Sequence, residues 1–530
     1  MKKRLTAAAV IVASGILTAL TLEVDILYPL SYLSLAPYFY FLLKMTDERK
    51  SYPKLYLYGL LHSFSYYMVV YSFFLAMYPL EFMGVTKPMA VVIVLFCQIG
   101  LSLLQSLSTA AAAPLFRLFK KHTALSPVLF ASVWIILEWI QNFTWAGVPF
   151  LRLAISQTSF IPAMQSASIF GSLFLSFLPA FTSACFGLSF YCIKKYGIKD
   201  FSARLYPIIA IAVIAANIGY GLIRIGTYSE DSDRTVKAVL IQANIGSTDK
   251  WAEQTVSGIV EKHLELSEQA VSESGAEIIV FSETALNFNL LESEFTDTRE
   301  KISNFAEKHN VYMLIGTFTK DGDGNSYNSV VIFYPDGTYE ENPYNKRRLV
   351  PFGEFVPMES ILKTCLPFLT EMNLFDSQLT PGEGTAVNEI AGGKIGRLIC
   401  FDSIYDYLTR ESVSDGAEMM ILSTNDSWYL DSPAVYIHND HAKLRAVESG
   451  KYMLRAANTG ISSVIDPLGR TKAELGALEK GYVAADVIFI GERTVYSYIG
   501  NIIIPVCAAF ILFEFMSKII SKKKKKDVVG

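Results

Sequence analysis

Four side chains in the C-terminal half of the sequence could together carry out covalent catalysis. Glu283 follows an apolar run in VFSETAL, Lys346 and Glu354 lie in YNKRRLVPFGEFVP, and Cys400 ends the apolar run of RLICFD. A thiol is only slightly ionised at neutral pH, so it becomes a good nucleophile when a carboxylate takes its proton and a cation stabilises the thiolate. Glu283 fits the base, Lys346 fits the cation, and Cys400 fits the nucleophile.

Each of these residues has a simpler interpretation when it is taken alone. Glu283 could cap a helix, Lys346 could belong to a solvated basic patch, and Cys400 could be a small core residue. The occurrence of all three in this order, at strand ends and in one loop, favours the catalytic interpretation. In such a site, Lys346 and the backbone N–H of Phe401 would donate hydrogen bonds to a tetrahedral oxyanion.

The apolar runs around these residues predict a soluble α/β domain over about 228–494. A stretch with helical spacing, 255–272, separates the first two of seven strand-length runs. Because hairpins alternate with βα units, the order favours a layered αββα sandwich over a doubly wound parallel sheet. The predicted strands cover 236–245, 276–283, 311–318, 329–341, 396–401, 418–425 and 461–470.

The rest of the chain is typical of an α-helical membrane bundle. Hydrophobic residues make up 52% of the chain and charged residues only 18%, and bilayer-length apolar runs account for this composition. The first run resembles a signal peptide, but no clear cleavage site follows it, so we interpret it as a retained span. The eight predicted spans cover 6–22, 26–44, 56–78, 89–115, 125–141, 165–192, 205–225 and 496–517.

The distribution of Lys and Arg predicts the orientation of these spans. Basic segments such as RLFKKH and KKKKK fall on one side, whereas the opposite loops 79–88 and 142–152 carry one Lys and one Arg. Since basic loops stay in the cytoplasm, we expect both termini to be cytoplasmic and the α/β domain to be extracytoplasmic. The net charge of −4 gives no reason to expect a nucleic-acid partner.

These boundaries predict three parts. Residues 1–227 form a membrane domain of seven transmembrane helices, 228–494 form the catalytic domain, and 495–530 form an eighth helix with a basic cytoplasmic tail.

Two motifs suggest a metal site at first sight. DGDGN at 321–325 looks like a calcium loop, but the twelfth position is Ile332 rather than Glu, so we predict a hairpin turn. His438 and His441 have a helical spacing without an apparent third ligand. We therefore predict no metal and no cofactor.

The sequence around the candidate site resembles a known family. Glu, Lys and Cys in this order resemble the triad of the carbon–nitrogen hydrolase, or nitrilase, superfamily. YNKRRLVPFGEFVP, NDSWYL, IQANIGSTDKW and HAKLRAVESGKYMLRAANTGISSVIDPLGR are similar to apolipoprotein N-acyltransferases, and WIILEWIQNFTWAGVPF extends the resemblance into the membrane half. The resemblance implies transfer of an acyl chain from a membrane phospholipid to the amine of a lipoprotein's diacylglyceryl-cysteine, in the cytoplasmic (inner) membrane, through a thioester on Cys400.

The sequence departs from this family's pattern at four positions. Asp402 stands where Glu is usual and so has a shorter reach, and Phe401 stands where Tyr is frequent. Gln141 replaces Arg after the EW motif, and Phe150 replaces Trp. We expect Glu354, Phe401 and Asp402 to support the triad.

Substrate contacts and alternative functions depend on less specific features. Trp251 could line the substrate site or anchor the core. Leu366 and Phe368 lie in an apolar segment, 358–376, that is either a lid over Cys400 or a core helix. The main alternative function is a membrane-anchored amidase or nitrilase that acts on a soluble amide, and a non-catalytic receptor is a further alternative.

Overall fold

The computed structural model describes residues 2–80, 85–230, 235–246, 256–365 and 378–529. It divides into two compact units. The first comprises 1–78, 88–228 and 499–530, and the second comprises 79–87 and 229–498.

The first unit is entirely helical, and its most buried long helix is α10, which packs against α3, α7 and α11. Its helices before the second unit are α1 (Lys2–Glu23), α2 (Ser31–Ser34), α3 (Ala36–Asp47), α4 (Tyr52–Val70), α5 (Lys87–Thr109), α6 (Ala112–Phe119), α7 (Ser126–Ile140), α8 (Ile161–Met164), α9 (Ala167–Phe170), α10 (Ser172–Tyr196) and α11 (Phe201–Thr227). The C-terminal helix Ile503–Val529 completes the unit.

Seven helical stretches in the described part of the chain are long and apolar enough to cross a membrane. They overlap seven of the eight predicted spans, although the helices that match the sixth and eighth begin at 172 and 503 rather than at 165 and 496. The fifth predicted span, 125–141, corresponds to α7, which has only 15 residues and continues as a 3-10 helix over Gln141–Phe143. At about 1.5 Å per residue, α7 is shorter than the roughly 30 Å hydrocarbon core, so the structure does not confirm eight spans. The seven stretches are Leu5–Glu23, Asp25–Asp47, Tyr52–Met77, Lys87–Phe119, Ser172–Tyr196, Phe201–Thr227 and Ile503–Lys523.

The second unit contains two six-stranded sheets. The first sheet has the order β12-β1-β2-β3-β4-β5, and the second has the order β11-β10-β9-β8-β7-β6. The strands are β1 (Thr235–Gln242), β2 (Ile278–Val280), β3 (Tyr312–Lys320), β4 (Ser326–Phe333), β5 (Tyr344–Asn345), β6 (Val387–Ile390), β7 (Gly393–Ile399), β8 (Met419–Thr424), β9 (Met453–Ala457), β10 (Ser462–Ile465), β11 (Thr471–Leu475) and β12 (Gly481–Ile488).

The two sheets pack face to face, and helices cover their outer faces. Leu240 and Ile278 of the first sheet share a core with Ile399 and Leu454 of the second. The outer face of the first sheet packs against α12 and α13, and the outer face of the second packs against α15 and α16. The predicted αββα sandwich is therefore confirmed. The helices of this unit are α12 (Val256–Ser274), α13 (Thr296–His309), α14 (Glu359–Cys365), α15 (Asp406–Ser414), α16 (Pro433–Ser449) and α17 (Val495–Ile499).

Each sheet has a parallel centre and antiparallel edges. β1, β2 and β3 are parallel in the first sheet, and β7, β8 and β9 are parallel in the second. These strands are buried on both faces, which explains why they appear in the sequence as continuous apolar runs. The predicted hairpin turn at 321–325 joins β3 to β4, and Asp321 accepts bonds from the backbone N–H groups of Asp323 and Asn325.

Candidate active site

The candidate residues come from the ends of strands in both sheets. Glu283 lies three residues after β2, Lys346 directly follows β5, and Cys400 directly follows β7. The sheets are joined near these positions, since Ser423 donates to the carbonyl of Phe281 and the N–H of Glu283 donates to the carbonyl of Thr424. The fold therefore brings together side chains that lie up to 117 positions apart, the interval from 283 to 400.

Lys346 lies between two carboxylates. Its Nζ is 2.7 Å from Oε1 of Glu283 and 2.9 Å from Oε2 of Glu354, and only 2% of Lys346 is exposed. Burial lowers the pKa of Lys346, but the charges of Glu283, Glu354 and Cys400 raise it well above its usual value. Lys346 is therefore a fixed cation and not a proton donor at neutral pH.

Asn328, on β4, links the same two carboxylates. Its Nδ2 donates to Oε1 of Glu283 at 2.7 Å and to Oε1 of Glu354 at 2.9 Å. The second oxygen of Glu354 also accepts the N–H of Val350 at 2.8 Å. Bonds to charged groups contribute more than neutral ones, so Asn328 and Lys346 hold both acids in fixed positions. Asn328 could not be identified from the sequence, because nothing in the residue pattern of β4 distinguishes it from other polar strand residues.

Cys400 begins a short 3-10 helix, Cys400–Ile404, and has a left-handed backbone with φ +47°. This conformation costs a non-glycine residue roughly 1–3 kcal/mol and is enriched at functional sites. The carbonyl of Cys400 accepts a bond from Oγ of Ser403 at 2.8 Å. The chain thus turns sharply at the end of β7, and the bond from Ser403 fixes the Cys400 carbonyl within the 3-10 helix.

The environment of Cys400 keeps its thiol protonated. Burial is the largest cause, and the charge of Glu283 adds to it, so the pKa of Cys400 is raised although Lys346 opposes the shift. A thiol of this kind does not react as a preformed thiolate at neutral pH, and it needs a base during the attack.

Asp402 connects the turn at Cys400 to the loop that carries Lys346. Its carboxylate accepts bonds from the hydroxyl of Tyr344 at 2.8 Å, the N–H of Arg348 at 2.8 Å and the N–H of Ile399 at 3.1 Å. Burial raises the pKa of Asp402 to about 6. Asp402, although one methylene shorter than Glu, therefore still reaches three donors. Because Tyr344 belongs to the first sheet and Ile399 to the second, Asp402 links the two sheets. Phe401 packs edge-on against Tyr405, with ring centres 5.7 Å apart.

His438 lies next to Cys400, on α16. Its Nδ1 is 2.7 Å from Oδ1 of Asp426, and its Nε2 is 3.2 Å from the carbonyl oxygen of Cys400. Asp426 in turn accepts a bond from Arg455 at 2.7 Å. The sequence analysis considered His438 only as a metal ligand, and the structure shows it in a hydrogen-bond network instead.

The three tentative substrate contacts lie outside the described residues. Trp251 falls in the gap between 246 and 256, and Leu366 and Phe368 fall in the gap between 365 and 378. Of the segment 358–376, the structure describes α14 and the residues directly before it.

Comparison with known proteins covers both units. The carbon–nitrogen hydrolase family matches residues 237–489, and the apolipoprotein N-acyltransferase N-terminal domain matches residues 14–185. The apolipoprotein N-acyltransferase of Shewanella oneidensis is 27% identical over 452 residues, covering 82% of each chain. That of Geobacter metallireducens is 28% identical over 389 residues, covering 72% of each chain. The crystal structure of Saccharomyces cerevisiae Nit3, a nitrilase superfamily member, is 20% identical and covers 52% of this chain and 97% of Nit3, with a TM-score of 0.38.

The second unit is thus a carbon–nitrogen hydrolase domain, with an acid, a lysine and a cysteine where its two sheets meet. The apolipoprotein N-acyltransferase N-terminal domain precedes it, and relatives match along most of the chain. These two findings narrow the class of protein beyond the carbon–nitrogen hydrolases in general. The chain belongs to the apolipoprotein N-acyltransferase family. With seven apolar helices of crossing length among its described residues, it is a multi-pass membrane protein.

Proposed function

We propose that the protein transfers an acyl chain from a membrane phospholipid to the N-terminal amine of the diacylglyceryl-cysteine of apolipoproteins, through a thioester on Cys400. The observation that carries this proposal is the grouping of Glu283, Lys346 and Cys400. Lys346 in this group also binds a second carboxylate, that of Glu354. The names of the relatives supply the substrate class. They favour this reaction over the alternative of an amidase acting on a soluble amide.

In the first half-reaction, Sγ of Cys400 attacks the carbonyl carbon of a phospholipid ester. Both bonds donated to Glu283 by Lys346 and Asn328 end on Oε1, so Oε2 is the oxygen that would take the thiol proton. A C–S bond forms, the C–O bond to glycerol breaks, and the leaving alkoxide receives the proton from Glu283. Lysophospholipid departs, and a thioester remains on Cys400.

The oxyanion formed in this step needs hydrogen-bond donors. An ammonium group has three N–H bonds, and Glu283 and Glu354 occupy two of those of Lys346. The third is available for the oxyanion, together with the N–H of Phe401. Glu354 holds Lys346 in place and is therefore a positioning residue.

In the second half-reaction, the amine of the lipoprotein attacks the thioester. Glu283 takes a proton from the amine, the C–N bond forms, and the C–S bond breaks. The thiolate of Cys400 leaves and recovers the proton, so the enzyme returns to its starting state with an amide as product.

The location of the reaction follows from the charge distribution of the sequence. The basic segments predict cytoplasmic termini, and we therefore propose that the catalytic domain lies on the periplasmic side of the inner membrane, where both acylated substrates are anchored. Trp251, Leu366 and Phe368 remain predicted contacts for the substrate. Apolar side chains at that position would also keep water away from the thioester.

The proposal can be tested by supplying the two substrates in turn. Purified protein in phospholipid vesicles should release one lysophospholipid per molecule and then stop. Addition of a synthetic peptide with an N-terminal diacylglyceryl-cysteine should restart release and yield the N-acylated peptide. Continuous release of free fatty acid, with no effect of the peptide, would identify a hydrolase and contradict the proposal.

Two cysteine variants make this test specific. Cys400→Ala should abolish both stages. Cys97→Ala is the matched control, because Cys97 is the other partly exposed free cysteine among those that the structure describes. We expect Cys97→Ala to react as the unmodified protein does.

A further inference from the structure

The peptide bond between Cys400 and Phe401 is held from its carbonyl side by two side chains. The carbonyl oxygen of Cys400 lies 2.8 Å from Oγ of Ser403 and 3.2 Å from Nε2 of His438. The same Nε2 is 3.1 Å from Oγ of Ser403. His438 is 5% exposed, so these contacts are sheltered from water.

Fixing this carbonyl also fixes the N–H of Phe401. The C=O of Cys400 and the N–H of Phe401 are opposite ends of one planar trans peptide unit, so they cannot rotate independently. A hydrogen bond accepted by the carbonyl also polarises the N–H of the same unit and strengthens it as a donor. The orientation of the Phe401 N–H thus depends on the residues that bind the Cys400 carbonyl.

The donors and acceptors of the network can be assigned from their chemistry. Burial raises the pKa of Asp426, but Arg455 and His438 lower it below its usual value. Asp426 is therefore an ionised acceptor, and Nδ1 of His438 must donate to it. Ser403 has a single hydroxyl hydrogen, which it donates to the Cys400 carbonyl.

With that hydrogen in use, Oγ of Ser403 and the Cys400 carbonyl can only accept from Nε2 of His438. Both ring nitrogens then donate. Asp426 sets the angle of the ring, and Arg455, which is fully buried, holds Asp426 in turn.

We propose that His438 is a positioning residue for acyl transfer, which holds the Cys400–Phe401 peptide so that the Phe401 N–H points at the oxyanion. This inference rests on the proposed function, since it assigns a role within that reaction. His438 does not touch the substrate. It acts through the peptide, and Asp426 and Arg455 act through His438.

The two amide variants of His438 separate this role from general support of the fold. The amide nitrogen of Gln can occupy the place of Nε2 and donate to the Cys400 carbonyl, whereas the shorter Asn can replace only Nδ1 and its bond to Asp426. We expect His438→Asn to slow acyl-enzyme formation about 10- to 100-fold, somewhat less than the 10²–10³ lost when an oxyanion donor is deleted. We expect the rate of acyl-enzyme formation in His438→Gln to stay within about threefold of that of the unmodified protein, because the amide nitrogen of Gln still donates to the Cys400 carbonyl.

Alkylation of Cys400 by iodoacetamide provides the second readout. It forms no oxyanion, so a role in positioning the Phe401 N–H should leave alkylation unchanged in both variants. Equal slowing of Asn and Gln variants, or a parallel loss of alkylation, would overturn the proposal. His309→Asn is the matched control, because His309 forms a similar pair with Glu268 at 2.7 Å on the outer helices.

The acyl donor keeps this test separate from the proposed function. Each variant is measured with phospholipid vesicles and with p-nitrophenyl butyrate, an activated ester that transfers its acyl group to a free reactive cysteine and releases p-nitrophenol. Reaction with the activated ester but not with phospholipid would overturn the proposed substrate, while the Gln and Asn rates with that ester would still decide the role of His438. If His438→Asn does not fold, Ser403→Ala removes the other donor to the same carbonyl, and the same selective loss of acylation is expected. Normal acylation of folded Ser403→Ala would contradict the proposal.

Discussion

The two sheets of the catalytic unit prepare their parts of the site in different ways. The first sheet provides charged side chains, Glu283 and Lys346, which Asn328 and Glu354 hold by short bonds between side chains. The second sheet provides Cys400, which is held through its backbone, by a left-handed turn and by bonds to its carbonyl.

This difference predicts different sensitivities. In the first sheet each charged group depends on the others, because loss of one partner leaves a buried charge without compensation. In the second sheet the position of Cys400 depends on the path of the chain, because its own side chain takes part in no ion pair. The part of the site on the first sheet should therefore lose activity when a charge is changed. The parts on both sheets should lose activity when the backbone is displaced.

Among changes in the first sheet, removal of the proposed base, Glu283, should slow acyl-enzyme formation most. Glu283→Gln keeps the shape of the side chain and its place beside Lys346, but it cannot accept the thiol proton. We expect acyl-enzyme formation to slow by about 10²–10⁴, the usual contribution of a general base. Single-turnover measurement with phospholipid vesicles gives this rate. A loss below about threefold would exclude Glu283 as the base and would assign that role to another group.

A small displacement of the backbone beneath Glu283 should have the next largest effect. A Cβ on Gly316 would lie 2.1 Å from the carbonyl oxygen of Ser282 and 2.9 Å from Cα of Glu283. Since backbone atoms must move to relieve this overlap, we expect Gly316→Ala to slow acylation on the order of 10- to 100-fold.

Gly322→Ala is the matched control for this steric test. No atom lies within 4 Å of the Cβ position at Gly322, which is in the hairpin turn after β3. Acylation by Gly322→Ala should be normal. Equal rates for the two variants would show that the position of Glu283 is not set by its contact with β3.

The smallest expected effect is a shift in the pH dependence of Cys400 alkylation. Removal of the Glu283 charge and removal of the Lys346 charge should shift it in opposite directions. Glu283 raises the pKa of Cys400 and Lys346 lowers it. Glu283→Gln should therefore move half-maximal alkylation of Cys400 to lower pH, and Lys346→Met should move it to higher pH. Peptide mapping after iodoacetamide treatment measures both shifts at Cys400 itself. Shifts in the same direction would mean that the two residues do not act on the thiol as opposite charges.

The sequence allowed prediction of the layered fold and of residues that lie at strand ends. Buried parallel strands appear as apolar runs, so the position of Cys400 after β7 and of Glu283 after β2 could be found from the sequence. Five described strands were not predicted, namely β5, β6, β9, β11 and β12. β9 was missed because MLRAA contains the fully buried Arg455 and no β-branched residue. The short α7 was predicted as a full span, because its apolar run does not show where the helix ends.

Glu354 and Asp402 were expected to support the triad, but other contacts that hold the candidate groups could not be predicted. Asn328 binds Glu283 across 45 positions, and Tyr344 binds Asp402 across 58 positions. Such bonds depend on how the two sheets pack, and no local spacing indicates them. His438 did stand out through its spacing with His441, but the pattern suggested a metal, and only the structure shows its bond to the Cys400 carbonyl.

The position of the acyl group on the protein tests the central claim most directly. Purified protein is incubated with phospholipid vesicles without an acceptor, and its intact mass is measured before peptide mapping. The account predicts a single added acyl group, located on Cys400 and lost in Cys400→Ala. An acyl group on Cys365 or on any other residue, or an acylated Cys400→Ala protein, would contradict it.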